Sequence, residues 1–279
     1  MSVSTPLEKA PDFLCLGVPK AGSTWLHNLL DEHPQIFLPE EIKEIHYFDR
    51  HFSRGQFWYS KFFEARQSHH KVAGDITPHY LYTNPENITP FKTLTKFIII
   101  HRDPSDRCLS HYKFRVKLDN YKGSFEDFLD DYPHAIEWGM YGKYFAEFLK
   151  HYQRHQFLII SFTEAVRDVA YTKKILSEFL DIDVTLFPEN AGKSVVNKTS
   201  TPRSPYLYKF AVLASKWMAR ANLFKFRNLV KNNALIGRLL KSSGEEMKVS
   251  ISDDTLSKLS TLYSKDQLLF KTLIETKTA

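Results

Sequence analysis

Three groups of residues in this chain of 279 amino acids have the types and spacing for chemistry on an anion. The first is Gly17-Val18-Pro19-Lys20-Ala21-Gly22-Ser23-Thr24-Trp25-Leu26, between a short apolar run and an amphipathic one. A strand–loop–helix junction holds an oxyanion well, because loop N–H groups point inward and the helix N-terminus adds partial positive charge. Gly22 lets the backbone come close, Lys20 supplies a full charge, and Ser23 and Thr24 offer hydroxyl donors and helix caps. An ordinary turn with a capping serine is the plainer use of such a segment; lysine, glycine and two hydroxyls at one junction favour anion binding. The loop is not a Walker A loop, in which Lys directly follows the second Gly. Here Ser23 takes that place and Lys20 precedes Gly22. The second group starts at Arg102, at the C-terminal end of an apolar run, the ligand edge of an open α/β sheet. Ser110 falls about two turns into the following helix, and a guanidinium with a hydroxyl makes a phosphate clamp. A surface ion pair of Arg102 with Asp103 or Asp106 is the competing use. The third group, Lys43-Glu44-Ile45-His46-Tyr47-Phe48-Asp49, offers carboxylates and an imidazole, or else an exposed charged turn followed by aromatic core.

The elements that must position these groups are legible from periodicity. Residues 13–18, 97–101 and 157–161 are short, continuous apolar runs and read as buried strands, with FIIIH the strongest and 72–74 a weaker candidate. Residues 22–33, 105–116, 142–153 and 170–180 read as helices, with Trp25, Leu26, Leu29 and Leu30 on one face of the first. Asp103-Pro104 closes the central strand and starts a helix. Strands alternating with helices predict a parallel sheet covered on both faces. Residues 205–241 are basic and helical in period, and 254–276 read as a terminal helix.

Composition sets outer bounds. The chain suits a single domain over 1–279, with 1–11 a loose arm and 205–241 a helical lid or acceptor-side region. With 38 basic and 32 acidic residues the formal charge is +6, which fits an anionic ligand, a nucleic acid or an acidic surface without choosing among them. Cys15 and Cys108 lie in or beside apolar runs and read as core, with neither a disulfide framework nor metal spacing. No apolar stretch approaches the ~20 residues of a membrane span, and the first residues lack an apolar leader. The expectation is a soluble, reduced, cytoplasmic protein, with peripheral membrane contact left open.

The motifs also carry a family resemblance. PKAGSTWL resembles the 5′-phosphosulfate loop of sulfotransferases that use 3′-phosphoadenosine 5′-phosphosulfate (PAPS), usually written P-K-[SA]-G-[ST]-T-W-L. Arg102, Asp103, Pro104, Asp106, Arg107, Ser110 and Tyr112 match the family's 3′-phosphate segment, R-[DN]-P-x-[DE]-R-x-x-S-x-[YW]. The stretch from Lys43 to Asp49 is similar to K-E-x-H-[FY]-F-D of heparan-sulfate-type sulfotransferases. Landmarks near Gly142–Tyr144 and Tyr263–Asp266 extend the resemblance across most of the chain.

The resemblance implies a three-layer α/β fold with a central parallel sheet, like that of P-loop NTPases, and a helical C-terminal region. It implies PAPS as donor, PAP as product and no metal. Lys20 and the backbone of Ala21, Gly22, Ser23, Thr24 and Trp25 would hold the 5′ end. Arg102 and Ser110 would hold the 3′-phosphate, with Lys198 and Arg203 in a loop closing over it. Glu44 would be the general base, Lys43 would assist the transferring group, and His46 and Asp49 would act on the acceptor side. Arg107 is expected to support the fold through an ion pair. Asp75, Thr77, His79 and Tyr80 would line the cleft, but Ile76 replaces a lysine of the glycan enzymes, which weakens the case for a highly anionic glycosaminoglycan. The expected activity is in-line sulfuryl transfer to a hydroxyl, less readily an amine, of a carbohydrate, glycolipid or secondary metabolite. A P-loop-type nucleotide kinase is the alternative, opposed by the displaced lysine and the absence of a clear Mg²⁺ partner. A basic protein binding a membrane or nucleic-acid surface through 205–241 is another; no nucleic-acid partner is expected, and the sequence leaves oligomeric state open.

Overall fold

In the computed structural model the described residues are 10–91, 96–193 and 251–276. Five strands, β1 (Phe13–Gly17), β2 (Ile36–Phe37), β3 (Val72–Ile76), β4 (Lys96–His101) and β5 (Phe157–Ser161), form one sheet in the order β2-β3-β1-β4-β5. Every pairing is parallel. The continuous apolar runs follow from burial on both faces. Along β4, Phe97 and Ile99 enter one core, whereas Ile98 and Ile100 enter the opposite one. Leu14 and Leu16 of β1 join the first core, Phe13 and Cys15 the second. The weak candidate at 72–74 extends to Ile76, because Gly74 and Asp75 pair with β1 despite their low strand propensity.

The second core is closed by α1 (Ser23–Asp31) and α8 (Val169–Leu180) through Trp25, Leu26, Leu29, Leu30, Leu176 and Leu180. The first core is aromatic: Tyr47, Phe48, Tyr59, Phe63 and Phe91 pack with Phe145 and Phe148 of α6 (Tyr141–Leu149). Between these lie α2 (Gly55–Ser60), α3 (Pro104–Asp119), α4 (Phe125–Asp131), α5 (His134–Glu137) and α7 (Phe162–Arg167), and α9 (Asp253–Glu275) is the last described helix. A third cluster joins α3, α4 and α9 through Cys108, Tyr112, Phe125, Phe128, Leu259 and Tyr263. Cys15 and Cys108 are buried and free.

Two connections position the site. Chain leaving β1 enters α1 on the face shared with α8. Chain leaving the neighbouring β4 enters α3, which packs with α4 and α9 instead. The C-terminal ends of β1 and β4 therefore form a switch point, where open α/β sheets bind ligands. The Val18 N–H donates to the Ile100 carbonyl (2.7 Å), tying the two loops together. The α6 N-terminus has no local side-chain cap. Instead Asp266 of α9 accepts from the N–H groups of Gly142 and Lys143, both at 2.8 Å. Gly142 is required there, since a Cβ would lie 2.5 Å from the Asp266 carbonyl oxygen. The segment 205–241 and residues 1–9 lie outside the described residues.

Candidate functional site at the switch point

The loop after β1 keeps its donors open. Gly22 caps α1 at φ 97° without a side-chain hydrogen bond, so neither Ser23 nor Thr24 is spent as the expected cap. The first N–H groups of α1 thus remain for an anion. Gly22 cannot carry a side chain: besides its φ, a Cβ would meet the Phe162 ring at 2.1 Å. Lys20 also has positive φ, at 70°, and its Nζ lies 3.7 Å from the centre of the Phe114 ring. Burial lowers its pKa to about 8, with Glu44 acting to raise it and Lys43 to lower it further. Trp25 turns its indole into the core and donates to the Gly192 carbonyl (2.9 Å), so only its backbone faces the loop side.

Arg102 emerges from β4 at the same edge. Its Nη2 pairs with Asp106 Oδ2 at 3.0 Å, the surface pairing weighed from sequence, while its buried Nε has no hydrogen-bond partner among the described residues. Ser110 is half-buried on α3. Asp103 caps α3 by accepting from the N–H groups of Ser105 and Asp106, which explains the Asp-Pro signal. Arg107 departs from expectation: it makes no ion pair among the described residues, is fully buried and donates to the Ala135 carbonyl. Lys198 and Arg203 lie outside the described residues.

The third group converges as a charged relay. Glu44 Oε1 pairs with Lys43 Nζ at 2.8 Å, and Oε2 lies 3.4 Å from His46 Nε2. The other His46 nitrogen meets Asp49 Oδ2 at 2.9 Å. Burial works to raise the Glu44 pKa, but His46 and Lys43 outweigh it and hold the carboxyl at about 2. Burial opposes the charge on His46, yet Asp49 and Glu44 raise its pKa to about 9. A single turn of π-helix over Tyr47–His51 presents these groups; His51 N–H reaches back to the His46 carbonyl at 3.0 Å. Such turns recur at functional sites.

Beneath the relay, three of the residues expected to line the cleft are buried and occupied with one another. Thr77 Oγ1 donates to Asp75 Oδ1 (2.7 Å) and accepts from the Ile45 N–H (3.1 Å). Tyr80 and Tyr59 hydroxyls both donate to Asp75 Oδ2, at 2.7 and 2.9 Å, and Tyr80 accepts from the Tyr47 N–H at 2.8 Å. Asp75, Thr77 and Tyr80 therefore hold the backbone of 45–47 rather than face solvent. The physical reason is that β3 runs on to Ile76 and places Asp75 in the core, and the turn after it, closed by the Tyr80 N–H to the Thr77 carbonyl, folds Thr77 and Tyr80 back onto that carboxylate. Burial nonetheless raises the Asp75 pKa to about 6. His79 is the exception, half-buried with its ring 5.4 Å from that of His46 and 5.0 Å from that of Trp138. Burial, then the His46 charge, lowers its pKa to about 4. Ile76 is buried in the core shared with α1, so no cation stands there. Sequence reading did not single out Trp138 or Phe114; both are lone aromatics in a chain rich in them, and no spacing marks them.

The sulfotransferase domain family matches residues 10–204, most of the chain. The membrane-associated sulfotransferase kil1 of Dictyostelium discoideum is 40% identical over 113 residues, covering 38% of this chain and 23% of that protein. Heparan sulfate glucosamine 3-O-sulfotransferase 3A1 of Mus musculus is 28% identical over 186 residues, covering 63% of this chain and 47% of that protein. The chain thus spans less than half the length of these curated relatives. Among solved structures, a sulfotransferase from Alicyclobacillus acidocaldarius superposes with a TM-score of 0.59 at 20% identity, covering 82% of this chain and 96% of that one. At that identity the likeness establishes the fold.

Proposed function

The chain belongs to the sulfotransferase domain family, and from that premise we propose that it transfers the sulfuryl group of PAPS to an acceptor hydroxyl and releases PAP. One observation carries the reading: Glu44, held between Lys43 and His46, shares its electrostatic surroundings with Lys20 of the anion loop. A base for the acceptor and a cation for the leaving phosphate are what in-line transfer requires. The acceptor oxygen bonds to sulfur as its proton passes to Glu44, and the bond from sulfur to the 5′-phosphate oxygen breaks. That oxygen keeps the electron pair, neutralised by Lys20 and the α1 N-terminus.

A carboxylate near pKa 2 is always ionised but a weak base. An anionic sulfuryl group beside it would draw Lys43 away and raise its pKa. Arg102 would exchange Asp106 for the 3′-phosphate, which also gives its idle Nε a partner. Ser110 is the accompanying donor, with Lys198 and Arg203 proposed in the covering loop. A hydroxyl acceptor fits the 3-O-sulfotransferase relative, and the buried Ile76 favours a less anionic carbohydrate, glycolipid or secondary metabolite over a glycosaminoglycan. His46, Asp49 and His79 form the acceptor side.

Calorimetric titration with PAP tests the donor assignment. Tight binding without Mg²⁺ is expected, weakened at least tenfold by Lys20→Ala or Arg102→Ala; an absence of binding to the wild-type chain overturns it.

A further inference from the structure

We propose that Glu44, His46 and His79 form a binding site for one divalent transition-metal ion of the zinc type, seated on the acceptor side where it closes off Glu44. One ligand atom from each of the three residues lies within 4.8 Å of the other two. His46 Nε2 and Glu44 Oε2 already stand 3.4 Å apart. That matches the edge of a tetrahedron built on metal–ligand bonds of ~2.0–2.2 Å. On its far side His46 Nδ1 meets Asp49 Oδ2 at 2.9 Å. A carboxylate on the Nδ1 side fixes the ring, so that a metal displacing the Nε2 proton finds that nitrogen's lone pair aimed at Glu44, the outer-shell arrangement of histidines that bind metal.

His79 completes the set from another element. It is a lone histidine in the loop after β3, carried over the relay by ring contacts with His46 and Trp138. Its Nδ1 is buried without a hydrogen-bond partner among the described residues, an arrangement that a ligand would relieve. Two imidazoles and a carboxylate leave a fourth position open for water. Imidazole ligands select zinc, copper or nickel over magnesium or calcium. Bound there, the ion would occupy the Glu44 oxygen nearest His46 while Lys43 holds the other, leaving neither to accept the acceptor's proton. The inhibition rests on the proposed function, whereas metal binding does not.

The test uses the full chain, stripped with chelator and without donor or acceptor. Zn²⁺ is titrated calorimetrically and Co²⁺ by visible absorption. One ion per chain is expected, with the intense Co²⁺ bands of a four- or five-coordinate site. His79→Ala and His46→Ala each weaken affinity at least tenfold, Asp49→Asn by about tenfold, and His69→Ala leaves it unchanged. His79→Gln gives the same loss with less disturbance of packing, and thermal melts check that each variant folds. Absence of stoichiometric binding, or unchanged affinity in folded His79→Ala and His79→Gln, overturns the site. If the ion binds as expected but turnover of an active wild-type enzyme is not lowered, the closing role is overturned while the proposed reaction stands.

Discussion

Burial alone would raise the Glu44 pKa, and His46 and Lys43 reverse that. Removing the carboxylate's charge at constant shape isolates its task. Glu44→Gln should retain PAP affinity and lose turnover by roughly 10²–10⁴-fold, measured with radiolabelled donor once an acceptor is identified. Activity at near-native rates would move the base elsewhere, with His46 or His79 next. The cations set the alkaline limit. Lys20 is charged below about 8 and His46 below about 9, so turnover should fall as pH rises through that window. Stability follows the same residue. His46 has a folded pKa raised above the ordinary histidine value of 6.5, so its contribution is complete below 6.5 and is lost as pH rises through about 9. Melting temperatures from pH 6 to 10 should decline in the wild type, and less steeply in His46→Ala.

Positioning belongs to the elements. The strand β3 was faint in sequence because Gly74 and Asp75 are poor strand formers, yet Asp75 organises the turn that carries Glu44. Asp75→Ala strands the hydroxyls of Tyr59, Thr77 and Tyr80, at a cost of about 1–3 kcal/mol for each left unpaired. Denaturant melts should record the loss, and turnover should fall more than PAP affinity, since the donor loop is on β1. By contrast the donor half was plain in sequence. A β-branched run, Asp-Pro and a glycine at a junction each have one local meaning, and β4, the α3 cap and the α1 entry follow from them. The features that the sequence does not display are non-local. The use of Asp75, Thr77 and Tyr80 as supports depends on which way β3 faces once paired and on how the turn after it folds back. The pairing of Phe114 with Lys20 depends on how α3 lies beside the loop.

Across the whole molecule, two unlike cores flank one sheet: one aliphatic, the other crowded with rings. Ile98 serves the aliphatic side from β4, which lies between β1 and the edge strand β5. Ile98→Ala should cost about 2–5 kcal/mol of unfolding free energy, read as a lowered denaturant midpoint with the slope unchanged. The clasp between Asp266 and the start of α6 joins residues 124 positions apart. During synthesis the N-terminal portion emerges first and must wait for that carboxylate. Until it arrives, Tyr141 and Phe145 lack the Phe270 ring that packs beside them. A nascent chain stalled before α9 would present sticky aromatic surface to other proteins. Chaperone dependence, rather than catalytic defect, is thus the expected first symptom of lesions in this last helix.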